Sequence, residues 1–210
     1  MSETALAYAS VLRLSRTDIK ILNIKDAYAI HKVVYGLFED VRSIAEKQAS
    51  VPSGIAYADK GGDFSSRQIL ILSNRLPYQT PQFGSVQTKA INSDYLRHER
   101  YAFEIVINPC RRDSKTHKLI PICGRKAIEE WFQSRAQESW GFDVKAECLQ
   151  TERISSQSFE KHGKVITHSS AVLKGELSVV NRVLFTQSFT KGLGRGRAFG
   201  FGLLQIVPVV

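Results

Sequence analysis

The order of elements legible along these 210 residues predicts an α+β fold of two tandem ferredoxin-like halves, each β-α-β-β-α-β, the first with a reduced second helix. Two observations carry the prediction. Strand-like and helix-like hydrophobic spacing alternate in the same order twice, once from Leu6 to Ile91 and again from Tyr101 onward. Between the two series lies a polar stretch, Asn92 to Arg100, that reads as a junction. The expected units are residues 1–95 and residues 96–210. They share topology only, since no internal repeat of sequence is visible.

In the first half, Leu6 to Leu14 alternates small, apolar and polar residues and reads as a strand. Asp26 offers a helix cap, and Ala27 to about Lys47 reads as one helix with Ala27, Ile30, Val34, Leu37 and Ile44 facing the core. Ile55 to Ala58 is a short strand, Lys60-Gly61-Gly62-Asp63 a turn, and Arg67 to Ser73 a compact buried strand. Pro77, Pro81 and Gly84 break the chain where a second helix would stand, and Ser85 to Ile91 forms the fourth strand.

In the second half, Tyr101 to Ile107 is a strand and Asn108 to Lys118 a basic, polar loop. Pro121 to Gln137 holds a helix with Ile128, Trp131 and Phe132 on one face, and Val144 to Leu149 reads as a strand. Ser158 to Val180 reads as a hairpin turning near His162-Gly163-Lys164. Asn181 caps a last helix running to Lys191, followed by a glycine-rich loop and an apolar final strand, Leu203 to Val207.

Lys and Arg number 29 against 20 Asp and Glu, a formal charge of +9 that favours an anionic partner, nucleic acid before a membrane surface. Cys110, Cys123 and Cys148 form no CxxC pair, which indicates neither a disulfide framework nor a zinc knuckle and fits a reducing compartment. No signal peptide or membrane span is legible, so a cytoplasmic protein with no membrane partner is expected.

The segment from Gly192 to Val210, GLGRGRAFGFGLLQIVPVV, carries the strongest chemical signal. Gly192, Gly194, Gly196, Gly200 and Gly202 allow main-chain N–H groups to approach a ligand, and Arg195 and Arg197 between them add forked donors suited to phosphate. It lacks the Gly-Lys-Ser/Thr of a Walker loop and the βαβ setting of a dinucleotide fingerprint, so a polymer with many phosphates is the better partner. A tight turn joining helix to strand would share the composition. Further basic clusters stand at Arg111, Arg112, Lys115 and Lys118, and at Lys161, His162 and Lys164 on the hairpin tip. Each alone suits a solvated surface; their recurrence in one half suggests a phosphate track.

Tyr28 and His31, three apart on the first helix, share a face with Tyr35, offset from the apolar stripe. Histidine is the side chain suited to general acid–base work near neutrality, although a packed helix histidine would look the same. His98, His117, His162 and His168 are weaker candidates, and His117 with Cys110 and Cys123 matches no standard metal site. No carboxylate cluster suits magnesium, so no metal and no cofactor is expected. Phosphodiester cleavage without metal is open to RNA alone, whose 2′-OH attacks the adjacent phosphorus.

Together these stretches resemble the CRISPR repeat-RNA endonucleases of the RAMP class, most closely the CasE type of Cascade complexes. The resemblance rests on Tyr28-x-x-His31 in DAYAIHKVVYGLF, on INPCRR from Ile107 to Arg112 with its Trp131-containing helix, and on GLGRGRAFGFGLLQIVP. It implies two RRM-like ferredoxin domains and a metal-independent endoribonuclease cutting precursor CRISPR RNA at the base of each repeat hairpin. The implied ends are 5′-OH and 2′,3′-cyclic phosphate, with His31 and Tyr28 catalytic and the glycine loop against the RNA. The product would stay bound, in company with other subunits of an effector complex. The alternative is a non-catalytic RNA-binding subunit of such a complex. Residues 60–100 follow the family pattern only loosely, and no Lys or Ser assisting His31 is identifiable.

Overall fold

The computed structural model describes residues 5–49, 51–63, 65–161 and 163–209. The first half is a four-stranded antiparallel sheet of β1 (Ala7–Ser15), β2 (Ile55–Gly62), β3 (Ser66–Ser73) and β4 (Ser85–Ile91), in the order β2-β3-β1-β4. Helix α1 (Arg16–Ile21) follows β1 directly, because Ser15 and Asp18 form a reciprocal capping box. Helix α2 (Ala27–Tyr35) is capped by Asp26, whose carboxylate accepts from the Ala29 N–H. Its Ile30 and Val34 pack on Leu12, Leu14, Ile69 and Ile71 on one face of the sheet. The second helix is absent, and residues 74–84 run as a loop.

The second half forms the other sheet: β5 (Arg100–Ile107), β8 (Phe142–Asp143), β9 (Leu149–Lys161), β10 (Lys164–Val179) and β11 (Gln205–Pro208). Its order is β11-β5-β10, with β8 and β9 both on the far edge of β10. A small hairpin, β6 (Cys110–Arg112) with β7 (Leu119–Pro121), leads into α4 (Arg125–Arg135), and α5 (Arg182–Lys191) precedes the glycine loop. Counted within each half, both sheets run fourth-first-third-second, the ferredoxin-like order. Ala7, Ala56, Ala58 and Leu72 of the first half join Phe103, Ile105, Phe189 and Leu204 of the second in one continuous core. Lys60 of β2 pairs with Glu104 of β5, joining the halves at their polar edge. Burial alone would raise the Glu104 pKa, but Lys60 and Lys174 outweigh it and hold the carboxyl below its ordinary range.

Several element limits differ from expectation. The first helix ends at Tyr35: Gly36 follows, and Leu37 and Phe38 turn inward and are buried. A separate helix, α3 (Ile44–Gln48), starts at a Ser43–Glu46 capping box and leaves Ile44 75% exposed, so Ile44 is no core residue. Lys60 to Gly62 continue β2 through an irregularity in register, so this segment is strand and not turn. The basic stretch 108–118 contains β6, and Pro121 closes β7, so the next helix begins only at Arg125. In place of a strand at Val144–Leu149 stands a 3-10 turn, Ala146–Cys148. The hairpin is longer than expected, its first strand starting at Leu149. No helix among the described residues is long and apolar enough to cross a membrane.

Candidate functional site

Helix α2 and the glycine loop meet at His31. Its Nδ1 lies 2.8 Å from the carbonyl oxygen of Ala198, in the 3-10 turn Arg197–Phe199. A carbonyl only accepts, so Nδ1 carries the hydrogen and the neutral ring keeps its basic lone pair on Nε2. The Tyr57 hydroxyl, from β2, donates to the same carbonyl at 3.0 Å. Tyr57 is fully buried, and burial pushes its pKa far up, so it stays a phenol and a donor. One main-chain oxygen is thus held by two side chains.

Around this contact lies an aromatic wall. The Tyr28 and His31 rings stack at 5.9 Å, and Tyr28 stacks on Phe159 of β9 at 6.2 Å. His31 lies 4.2 Å from the Tyr35 ring and 5.6 Å from Phe199. Phe199 packs on Phe159 at 4.5 Å and on His168 at 5.5 Å. Asn108 Nδ2 donates to His168 Nδ1 at 3.2 Å, which puts the ring proton on Nε2, a buried atom with no hydrogen-bond partner among the described residues. Burial holds the His168 pKa below its ordinary value and the ring neutral. Lys32 Nζ sits 4.6 Å over the Tyr28 ring, a cation beside the site.

The loop's shape is set by backbone contacts. Leu193 N–H donates to the Gly202 carbonyl at 2.8 Å, and Gly202 N–H to Val106 of β5 at 2.7 Å. Gly202 has φ 82°, and a Cβ there would lie 2.1 Å from the Leu193 carbonyl oxygen. No other residue fits the position. Gly192, Gly194, Gly196 and Gly200 also take positive φ.

The expected basic residues divide. Arg111, Arg112, Gly194 and Arg195 line one cavity of about 380 Å³ beside Trp131. Lys115 and Lys118 are exposed in the turn beyond β6, and Lys164 is exposed at the start of β10. His162 and the Lys161 side chain lie outside the described residues. Arg197 is half-buried and donates to the Lys191 carbonyl at 2.9 Å. Among the described residues no His, Cys, Asp or Glu group is arranged to hold a metal ion, and all three cysteines are free thiols.

Residues without a sequence signal also belong here. Tyr57 and Phe159 are ordinary strand residues by pattern and only the fold places them beside Ala198 and Tyr28, while Phe199 and Asn108 lie in motifs singled out for their neighbours, Asn108 reaching the site through His168. A polar cleft of about 450 Å³ between the halves runs from Lys25 and Tyr57 to Arg153, Ser155 and Phe199. A larger cavity, about 830 Å³, lies between α2 and residues 78–83, with Tyr28 and Lys32 in its wall.

Comparison with known proteins bears on the fold and the family. The chain is 24% identical over 119 residues to the CRISPR-associated endoribonuclease Cse3 of Thermus thermophilus, a match covering 52% of this chain and 56% of that protein. The match thus spans about half the relative's length. A CRISPR endoribonuclease Cse3 bound to 19 nt RNA superposes with a TM-score of 0.78 at 16% identity, covering 96% of this chain and 99% of that one. A chain of a CRISPR RNA-guided surveillance complex superposes at 0.69 with 17% identity, covering 96% and 100%. Both share its tandem ferredoxin-like fold. The profile of the family described as CRISPR associated protein matches residues 7–208, and on that match, with helix, loop and sheets placed as above, the chain belongs to the CRISPR-associated protein family.

Proposed function

We propose that this protein is a metal-independent endoribonuclease that cuts precursor CRISPR RNA at the base of the repeat hairpin. The observation that carries the reading is the 2.8 Å contact between His31 Nδ1 and the Ala198 carbonyl, which orients an imidazole from the catalytic helix against the phosphate-suited loop. His31 Nε2 takes the proton from the ribose 2′-OH, the 2′-oxygen bonds to phosphorus, and the bond to the 5′-oxygen breaks. The leaving oxygen takes a proton from water, the His31 imidazolium later releases its own to solvent, and the ends are 2′,3′-cyclic phosphate and 5′-OH. Orientation supplies the largest share of the rate, and acid–base transfer on the order of 10²–10⁴-fold. Tyr28 orients the reacting ribose, and the Lys32 ammonium offsets developing phosphate charge.

In this reading residues 1–95 carry the catalytic helix, and residues 96–210 carry the hairpin and glycine loop that grip the stem. Arg111, Arg112, Lys115, Lys118, Lys161, Lys164 and Arg195 contact RNA phosphate, with the loop glycines giving close main-chain approach. The product stays bound, and the protein works in the cytoplasm alongside other subunits of an effector complex. The likeness to Cse3 and to a surveillance-complex chain supports substrate class and partners.

The test is cleavage of labelled repeat RNA by purified protein in EDTA, with and without a single 2′-deoxy residue at the cut site. Cleavage of the all-ribose RNA alone is expected. Cleavage of the deoxy RNA, or loss of activity in EDTA, overturns the mechanism. Tight binding with no cut in any buffer favours the non-catalytic RNA-binding subunit.

A further inference from the structure

The cavity of about 380 Å³ beside the glycine loop has a construction the catalytic reading does not use. Helix α4 is regular to Arg135, then widens into a single π-turn, Ala136–Trp140, closed by Gly141 at φ 80°. In an unbroken α-helix Trp131 and Trp140, nine residues apart, would point about 180° away from each other. Here the two indoles meet edge to face, 6.1 Å between centroids. Single π-turns concentrate at functional sites. Trp140 is buried, Trp131 is half-buried, and both line the cavity.

Arg111, Arg112 and Arg195 share the cavity wall with the Trp131 indole, as does Arg135, one turn beyond Trp131 on α4, and no acidic residue lines it among the described residues. Arg135 faces Glu138 at 3.8 Å. Among the described residues Arg111, Arg112 and Arg195 form no salt bridge. An aromatic platform beside forked cations is the chemistry that holds a single unpaired nucleotide, base on ring and phosphate on guanidinium. The volume lies at the small end of ligand pockets and does not admit a duplex.

The pocket also lies close to the proposed cut. Arg195 and Ala198 are three residues apart on one loop, so their Cα atoms are within about 11 Å. Asn108, in the pocket wall, reaches His168, which packs on Phe199 next to His31. We propose that this pocket binds one unpaired nucleotide directly flanking the hairpin, its base on Trp131 and its phosphate on Arg135 and Arg195. The proposal rests on the ribonuclease reading and adds a specificity element to it.

An abasic walk tests it. Each unpaired nucleotide beside the hairpin is replaced in turn by an abasic unit, and affinity is measured for the full-length protein and for Arg135→Ala, an exposed position chosen to leave the fold intact. For the wild type one position is expected to cost about fivefold or more in affinity. In Arg135→Ala the intact RNA is bound more weakly and the abasic penalty at that position shrinks, because phosphate and base are seated together. A full penalty retained in Arg135→Ala overturns the proposal. So does the absence of any sensitive position while binding and cleavage persist, the result expected if the pocket takes an acidic segment of a protein partner. Failure of the wild type to bind any hairpin RNA overturns this proposal and the ribonuclease reading together.

Discussion

His31 Nδ1 lies 2.8 Å from the carbonyl oxygen of Ala198, a residue 167 positions away in sequence. That bond selects the ring tautomer and fixes the ring plane. In the proposed mechanism His31→Ala therefore lowers the cleavage rate by on the order of 10²–10⁴-fold. Hairpin affinity changes only a few fold, since the side chain is not part of the basic track. Single-turnover cleavage and filter binding on the same RNA separate the two effects; equal loss of both would remove His31 from the chemistry.

Tyr57 tests the positioning of that carbonyl. Tyr57→Phe removes one of the two donors to Ala198 and nothing else of size. A stability loss of about 1 kcal/mol is expected by urea unfolding. The cleavage rate should fall more than affinity does, because the loop is held less firmly against His31. Unchanged cleavage would make the Tyr57 bond purely structural.

Gly202 and Gly163 both have positive φ but differ in their surroundings. A Cβ at Gly202 would collide with the Leu193 carbonyl, whereas one at Gly163 meets nothing within 4 Å. Gly163→Ala should cost about 1–2 kcal/mol from backbone strain alone. Gly202→Ala should cost about 4 kcal/mol or more, or displace the loop and abolish cleavage. Thermal unfolding of the two variants beside the wild type checks the ordering.

Arg195 and Arg197 are neighbours in the sequence pattern but differ in their contacts. Arg195 is exposed in the arginine-lined cavity, whereas Arg197 donates to the Lys191 carbonyl and braces the loop. Arg195→Ala should reduce the slope of log affinity against log salt by about 0.7–0.9, one phosphate contact. Arg197→Ala should leave the slope nearly unchanged and slow cleavage. Titrations across salt concentrations distinguish them.

His168 makes stability depend on pH. Burial holds its pKa below the ordinary 6.5, so under mildly acid conditions the unfolded chain binds more protons than the folded one. Stability contributed by the neutral ring is complete above about pH 6.5 and falls as pH drops toward the folded-state value. His168→Phe keeps the aromatic packing but leaves Asn108 without its acceptor, so absolute stability is not the useful reading. The difference in urea midpoint between pH 7.5 and pH 5 should shrink in the variant.

What could be read from sequence follows local rules. Asp26 before an apolar helical stripe gave the start of α2, and the two prolines with Gly84 gave the missing helix. The end of α2 was obscured because Leu37 and Ile44 continue the helical period by coincidence: Leu37 is buried beyond the helix, and Ile44 faces solvent. The signal is nonetheless present, since Ser43-x-x-Glu46 marks a new helix start. Tyr28 and His31 could be placed on one face from spacing alone. Their partners could not, because Tyr57, Phe159 and the Ala198–Phe199 pair arrive from three separate segments, and tyrosine or phenylalanine in such places is unremarkable by pattern. The Trp131–Trp140 contact depends on a π-turn that no periodicity announces.

The separation between His31 and Ala198 also sets a clock. A ribosome adding about 5–20 residues each second needs roughly 10 to 30 s between making the imidazole and making the oxygen that orients it. In the proposed mechanism, a nascent chain in that interval has α2 but no aligned base. On that proposal, cutting of RNA near the site of translation is deferred until synthesis has passed residue 198. A stalled nascent chain that stops short of that residue should leave repeat RNA intact, and cutting by such a chain would show that the anchor is dispensable.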